Sequence, residues 1–173
     1  ESAAAVPMDG YHLANVERHA QFALLGDFAD SDAPQAASDA GLLAEAVRAV
    51  DELEARYGAP ADGSAPRRFL LLQRERRWSE SEQRWIGWER KRGKLEQLVA
   101  LLTGHDRSAF IDLGPVSQPA AGTPYVVTLD SDTVLPPGAL KALVGVAAHP
   151  MNRPQFDDSG RAVVAGYGIL QPR

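Results

Sequence analysis

Apolar positions in this chain follow two patterns: short unbroken runs, and stretches that recur every three or four residues. Phe22-Ala23-Leu24-Leu25 is an unbroken run closed by Gly26-Asp27, which predicts a buried strand ending in a turn. Ala29 to Ala40 is rich in Asp, Ser, Pro and Ala and reads as a loop. From about Asp39 to Tyr57, Leu43, Ala46, Val50, Leu53 and Tyr57 share one helical face, with Ser38 or Asp39 available to cap the start and Gly58 to end it. Pro60 to Pro66 reads as loop, and Phe69-Leu70-Leu71-Leu72 as a second buried strand. Arg74 to Trp88 is polar and shows no clear period. From Arg92 a second helix is expected, with Leu95, Leu98 and Leu102 on one face and Gly104 as its stop. Phe110 to Leu113 reads as a short strand or an irregular segment. Tyr125 to Leu129 carries the clearest strand signal in the chain. Pro136-Pro137 is expected to open a helix whose apolar face is Leu140, Leu143, Val144 and Ala147. Asp157-Asp158-Ser159-Gly160 is a turn signal, with a strand over Arg161 to Leu170 expected after it.

Strands alternating with helices predict an α/β fold: a mostly parallel sheet flanked by helices. Ligands of such sheets bind beyond the carboxyl ends of the strands. Asp27 follows the first strand, and Asp130 and Asp132 follow the third, so all three are expected at one sheet edge. Two acids one residue apart at a strand end can hold a hard divalent cation, Mg²⁺ or Mn²⁺, shared with substrate phosphates. The plainer alternative for Asp130 and Asp132 is an Asx-type turn.

Charge sharpens this picture. The chain has a formal net charge of −5, yet Arg67 to Lys94 holds ten basic and four acidic residues. A basic segment in an acidic protein points to a local anionic ligand rather than to duplex nucleic acid, which needs a broad positive face. A solvated Arg-rich helix face is the competing reading. In Arg90-Lys91-Arg92-Gly93-Lys94 a glycine near a helix start permits close backbone approach, and the helix N-terminus with its cations favours an anion. Lys94 is the candidate phosphate contact, with Arg92 assisting. No Walker-type Gly-x-x-x-x-Gly-Lys-Ser/Thr motif is present. Asp27 can accept hydrogen bonds from a ribose or base, or simply bond its own backbone. Trp78, Trp85 and Trp88 can stack on sugar faces, although core or interface packing is the commoner use.

Zero cysteines exclude disulfides and zinc–thiolate sites. The four histidines lack metal-ligand spacing, and no nucleophile elbow is present. No apolar run approaches the roughly 18 residues needed to span a bilayer, so the piece itself is expected to be soluble. Glu1 to Gly10 does not read as a signal peptide. Both ends look cut, so residues 1–173 are expected to be a single partial domain excised from a larger protein.

Four blocks carry a resemblance. The run from Arg76-Arg77-Trp78 through Trp85-Ile86-Gly87-Trp88-Glu89-Arg90-Lys91-Arg92-Gly93-Lys94-Leu95-Glu96 resembles the glycosyltransferase region of cyclic β-1,2-glucan synthases. So do Val127 to Thr133, Gly166 to Arg173, and Phe22 to Asp30. Ala33 to Ala65 contributes little. The resemblance implies a GT-A-like nucleotide-sugar-binding fold, here incomplete, with its first strand upstream of Glu1. It implies UDP-glucose as donor, a glucan acceptor, a divalent metal, and a parent protein at the cytoplasmic face of the bacterial inner membrane whose remaining domains are partners. By similarity, Asp27 would bind the uridine side of the donor, Lys94 the diphosphate, Asp130 the ribose or diphosphate side, and Asp132 the metal. The catalytic base is expected downstream of Arg173, so the isolated piece is expected to be inactive.

Two other readings stand beside this one. Asp130-Ser131-Asp132-Thr133-Val134 also fits the motif of haloacid-dehalogenase-type phosphatases, with Asp130 as nucleophile, but too little chain follows it for their layout. A non-catalytic module that binds a nucleotide sugar, or only packs on a partner, is the other.

Overall fold

The structure, a computed structural model, describes residues 8–58, 65–130 and 133–171. It divides into two units: Glu1–Asp9 with His19–Thr123, and Gly10–Arg18 with Pro124–Arg173. A short helix, α1 (Met8–Ala14), runs across the boundary.

The first unit is built on two parallel strands, β1 (Phe22–Asp27) and β2 (Phe69–Arg74), joined by α2 (Asp39–Tyr57). Every residue of β2 is buried. A near-continuous apolar run suits a parallel strand covered on both faces. Phe69 and Leu71 face α2 and pack with Val50, Met8 and Val116, with Leu43, Ala46, Val47, Leu53 and Tyr57 of α2 around them. Leu72 packs instead with Leu98 and Leu101 of α3 (Arg90–Leu102). Alternation along β2 therefore assigns one helix to each face.

Both helices lie where their periodicity predicts, and α2 has the expected ends. Its start is held differently from expectation. Ser38 makes no side-chain cap; Asp39 accepts from the backbone N–H of Ala36 at 2.7 Å and from Arg76. Glu54 of α2 accepts from the amides of Arg68 and Phe69 at 2.9 and 2.8 Å, which ties the entry of β2 to the helix.

The polar stretch after β2 is an antiparallel hairpin, β3 (Arg77–Ser79) with β4 (Arg84–Ile86). Trp78 and Trp85 oppose each other across it, their rings edge to face at 5.9 Å. Core or interface packing was the commoner expectation for the tryptophans; Trp78 and Trp88 are exposed at 41% and 38%, so the core half of it does not hold for them. Phe110–Leu113 forms no strand; only a single bridge joins Phe110 to Arg74.

The second unit departs further from the sequence pattern. Tyr125–Leu129 is in no strand, and its apolar side chains are exposed. The third strand of the expected sheet is thus missing among the described residues. The sheets found there are three separate two-stranded ones, of which only β1–β2 is parallel, so "mostly parallel" is corrected to a mixed α/β arrangement with one small parallel pair. Helix α4 (Ala139–Ala148) begins after Pro136-Pro137 rather than with them; the residue before it, Gly138, has a φ of 74°, which suits a residue without Cβ. Its first turn is satisfied from afar: Asn15 Oδ1 accepts from the Leu140 amide at 3.0 Å, and the Ala14 carbonyl from the Gly138 amide at 3.1 Å. The expected strand over Arg161–Leu170 shrinks to β6 (Val163–Ala165), paired with β5 (Gln155–Phe156). Asp157 forms the expected turn, accepting from Ser159 Oγ at 2.8 Å and the Arg161 amide at 3.0 Å. Among the described residues, no helix is long and apolar enough to cross a membrane.

Candidate functional site

The parallel register of β1 and β2 sets Asp27 beside Arg74 at the carboxyl ends of both strands. The Arg74 Nε–Asp27 Oδ1 distance is 2.6 Å, and Lys94 reaches over from α3 to put its Nζ 2.9 Å from Asp27 Oδ2. Asp27 therefore does not bond its own loop, as the plainer reading had it; it is bracketed by two cations. Arg74 is almost fully buried, and three of its four remaining N–H hydrogens are committed. Nη1 donates to the Trp88 carbonyl at 3.0 Å and to Gln97 Oε1 at 2.6 Å, and Nη2 donates to the Arg90 carbonyl at 3.2 Å. Burial pushes the Asp27 carboxyl up, but the hydrogen bonds from Arg74 and Lys94 and their charges outweigh it and hold the group below its ordinary 3.8.

The two remaining components differ in availability. Lys94 has three N–H donors; one serves Asp27, and the other protein contact, to the Leu25 carbonyl, is long at 3.5 Å. The Lys94 side chain is 23% exposed, against 1% for Arg74. One carboxylate against two cations leaves a local surplus of one positive charge, partly open to solvent. Such a cluster suits an anion.

Two glycines make the geometry possible. A Cβ at Gly87 would lie 2.7 Å from Asp27 Cγ and 3.0 Å from Arg74 Nη2. A Cβ at Gly93 would lie 2.2 Å from the Trp88 carbonyl oxygen. Gly93 was expected to admit a ligand's close approach; the close approach here is by the chain's own Trp88 backbone, which packs α3 onto the segment that Arg74 holds.

Of the residues singled out in the sequence, the structure joins Asp27 to Lys94. It does not join Arg92, whose Nε pairs with Glu96 Oε1 at 3.0 Å on the exposed face of α3, with its side chain 76% exposed. Asp130 lies in the second unit, exposed, and its carbonyl accepts from the Thr133 amide at 3.0 Å. Its expected place at one sheet edge with Asp27 depended on Tyr125–Leu129 being a strand of that sheet, which it is not. Ser131 and Asp132 lie outside the described residues. Asp130 offers the oxygen donor that Mg²⁺ or Mn²⁺ prefers, in an open segment where substrate oxygens and water can complete the coordination. Among the described residues, no three His, Cys, Asp or Glu side chains gather to form a metal cage.

Sequence reading passed over Arg74 and Gln97. Arg74 was one cation in a basic run. Its tie to Asp27 comes from strand register across 47 positions, and the only local hint is that an apolar run ends in Gln73-Arg74. A second buried pair, Arg76 with Asp39 at 2.5 and 3.0 Å, was also missed. Arg76 donates in addition to the carbonyls of Ala29 at 2.6 Å and Pro34 at 3.3 Å, which fastens the loop after β1 to the start of α2.

No protein-family model matches the chain. Over 166 residues, 96% of its length, it is 43% identical to the cyclic β-(1,2)-glucan synthase NdvB of Rhizobium meliloti (strain 1021), and it spans 6% of that protein's length. The resemblance seen in the Trp-Glu-Arg-Lys-Arg-Gly-Lys block thus extends through nearly the whole chain.

Proposed function

We propose that this chain is part of an inverting glucosyltransferase that uses UDP-glucose and a divalent metal to build β-1,2-glucan. The observation that carries the reading is the Asp27–Lys94 pair at the carboxyl ends of two parallel strands, in a chain similar along its length to a glucan synthase. The carboxyl ends of parallel strands are where α/β sheets bind nucleotides.

In this reading Lys94 directs its spare N–H donors at the donor's diphosphate. Asp27, ionised and fixed by Arg74, accepts from the uridine side with its remaining lone pairs. Arg74 is a positioning residue. Arg92 is too far engaged with Glu96 to assist unless that exposed pair opens. Asp130 and Asp132 would hold Mg²⁺ or Mn²⁺, which when bound neutralises charge on the leaving diphosphate. The acceptor's 2-hydroxyl oxygen forms a bond to the anomeric carbon as the bond from that carbon to the diphosphate oxygen breaks. UDP leaves with the bonding pair, and the hydroxyl proton passes to a base. We assign that base, and the location at the cytoplasmic face of the bacterial inner membrane, to the remainder of the parent protein. Lys94 lowers the barrier because its charge is in place before the diphosphate's charge grows.

Titration calorimetry with UDP, with and without Mn²⁺, tests the reading. Binding is expected to weaken by about tenfold or more in Lys94→Ala, the scale of a lost charged hydrogen bond, and to fall on chelation and in Asp130→Ala. Absence of UDP binding, or equal binding by Lys94→Ala, would falsify it and leave a module that only packs on a partner.

A further inference from the structure

The hairpin and the turn that follows it form a pocket of about 390 Å³ that the donor reading does not use. We infer that this pocket, walled by Trp78 and Trp88, is a subsite for a neutral glucan chain, the acceptor side of the proposed transferase. The inference rests on the function proposed above and adds the location and chemistry of acceptor binding.

Three features of the pocket choose the ligand. First, two of its walls are indoles with surface to spare, Trp78 at 41% and Trp88 at 38% exposure. An exposed indole offers a flat apolar face with a polar tip, which suits the C–H face of a pyranose. Trp78 is braced for this by its edge-to-face contact with Trp85. Second, the charged lining is balanced: Arg77 and Arg90 against Glu82 and Glu89. Arg90 is already paired with Glu82 at 2.7 Å and with Asp30 at 3.2 Å. A nucleotide diphosphate gains little from such a lining, whereas a neutral chain of hydroxyls finds both donors and acceptors in it. The hydroxyls of Ser79 and Ser81, 3.2 Å apart on the rim, extend that set. Third, the pocket is coupled to the donor cluster through one side chain. Arg74, which fixes Asp27, also holds the backbone carbonyls of Trp88 and Arg90. A carboxylate for the donor and an aromatic wall for the acceptor are thus referenced to the same guanidinium. The volume lies within the range of small-molecule sites.

The test is a heteronuclear NMR titration of the 173-residue chain with a linear β-1,2-linked glucan oligosaccharide, following the three indole N–H resonances, beside a separate titration with UDP. The indole signals of Trp78 and Trp88 are expected to move with the glucan. Affinity is expected to drop about five- to tenfold in Trp88→Ala, and less in Trp78→Phe, which keeps a flat face and the brace on Trp85. Signals that stay still, or a glucan affinity unchanged in Trp88→Ala, overturn the inference. UDP binding at Lys94 without any glucan response sinks the acceptor subsite alone; glucan binding at the tryptophans without any UDP response sinks the donor assignment alone.

Discussion

Phe69–Leu72 and Tyr125–Leu129 are both short, apolar and made of strand-forming residues, yet only the first is a strand. Phe69 to Leu72 are each at most 1% exposed, paired along their length with β1 and covered by α2 and α3. Tyr125, Val126, Val127 and Leu129 are 36–47% exposed and pair with no strand among the described residues. The second run is the richer in β-branched residues, so propensity does not explain the outcome; what differs is the availability of partners. β-propensity records fit to a half-buried pleated surface rather than a backbone preference. The first run has a partner strand and two helices within its own unit to supply that surface.

The comparison is most severely tested by removing side chains from each run. Phe69→Ala is expected to cost about 3–5 kcal/mol, because the ring is fully buried between Phe22 and Tyr57. Val127→Ala is expected to stay within about 0.5 kcal/mol. Urea unfolding midpoints decide it; equal losses at the two positions would show that Tyr125–Leu129 is packed after all.

Next in size is the ion cluster at the end of the buried run. Arg74→Met strands Asp27 with Lys94 alone and frees the carbonyls of Trp88 and Arg90. A loss of about 3 kcal/mol is expected, the low end for a broken buried pair, since Asp27 is 19% exposed. A change near zero would remove Arg74 from its structural role.

Acid sharpens the contrast further. Asp27 and Asp39 both have their folded-state values held below the ordinary 3.8, Asp27 by Arg74 and Lys94 against its burial, Asp39 chiefly by the hydrogen bond from Arg76. For a depressed carboxylate the stabilisation is present above the unfolded value and lost as pH falls through the folded value. Stability should therefore be level near neutrality and decline below about pH 4 to 5, with a shallower decline in Asp27→Asn. A decline as steep in that variant as in the parent would count against Asp27.

The smallest effect is expected at Arg92. Its pair with Glu96 is an exposed i,i+4 contact, screened by salt. Arg92→Ala should leave the midpoint of unfolding where it was, and a shift comparable to that of Arg74→Met would mean the two arginines had been assigned the wrong roles.

These differences also mark what the sequence makes legible. Helix α2 is readable to its end residues, because its apolar period is long and loop-forming residues flank it in the sequence. β1 and β2 are readable as runs, though each extends past its apolar stretch into Gly26-Asp27 and Gln73-Arg74, the residues that matter for the site. Asp27 and Lys94 were identifiable as candidates from their places after a strand and near a helix start. Their meeting, and the arginine on the other side of Asp27, depends on register across dozens of residues, which no local pattern encodes. The hairpin escaped notice because its strands are three residues long and largely exposed, so alternation has no core to report. The third strand was over-read for the complementary reason: an apolar run shows what a segment can do, and only a neighbour decides whether it does.

A crystal structure of this chain grown with UDP-glucose and Mn²⁺ addresses the central claim most directly. The account expects a diphosphate oxygen within hydrogen-bond distance of Lys94 Nζ, with the Asp27–Arg74 pair intact beneath the nucleoside. A nucleotide bound away from Lys94, or a Lys94 ammonium still locked on Asp27 with no ligand near it, would contradict it.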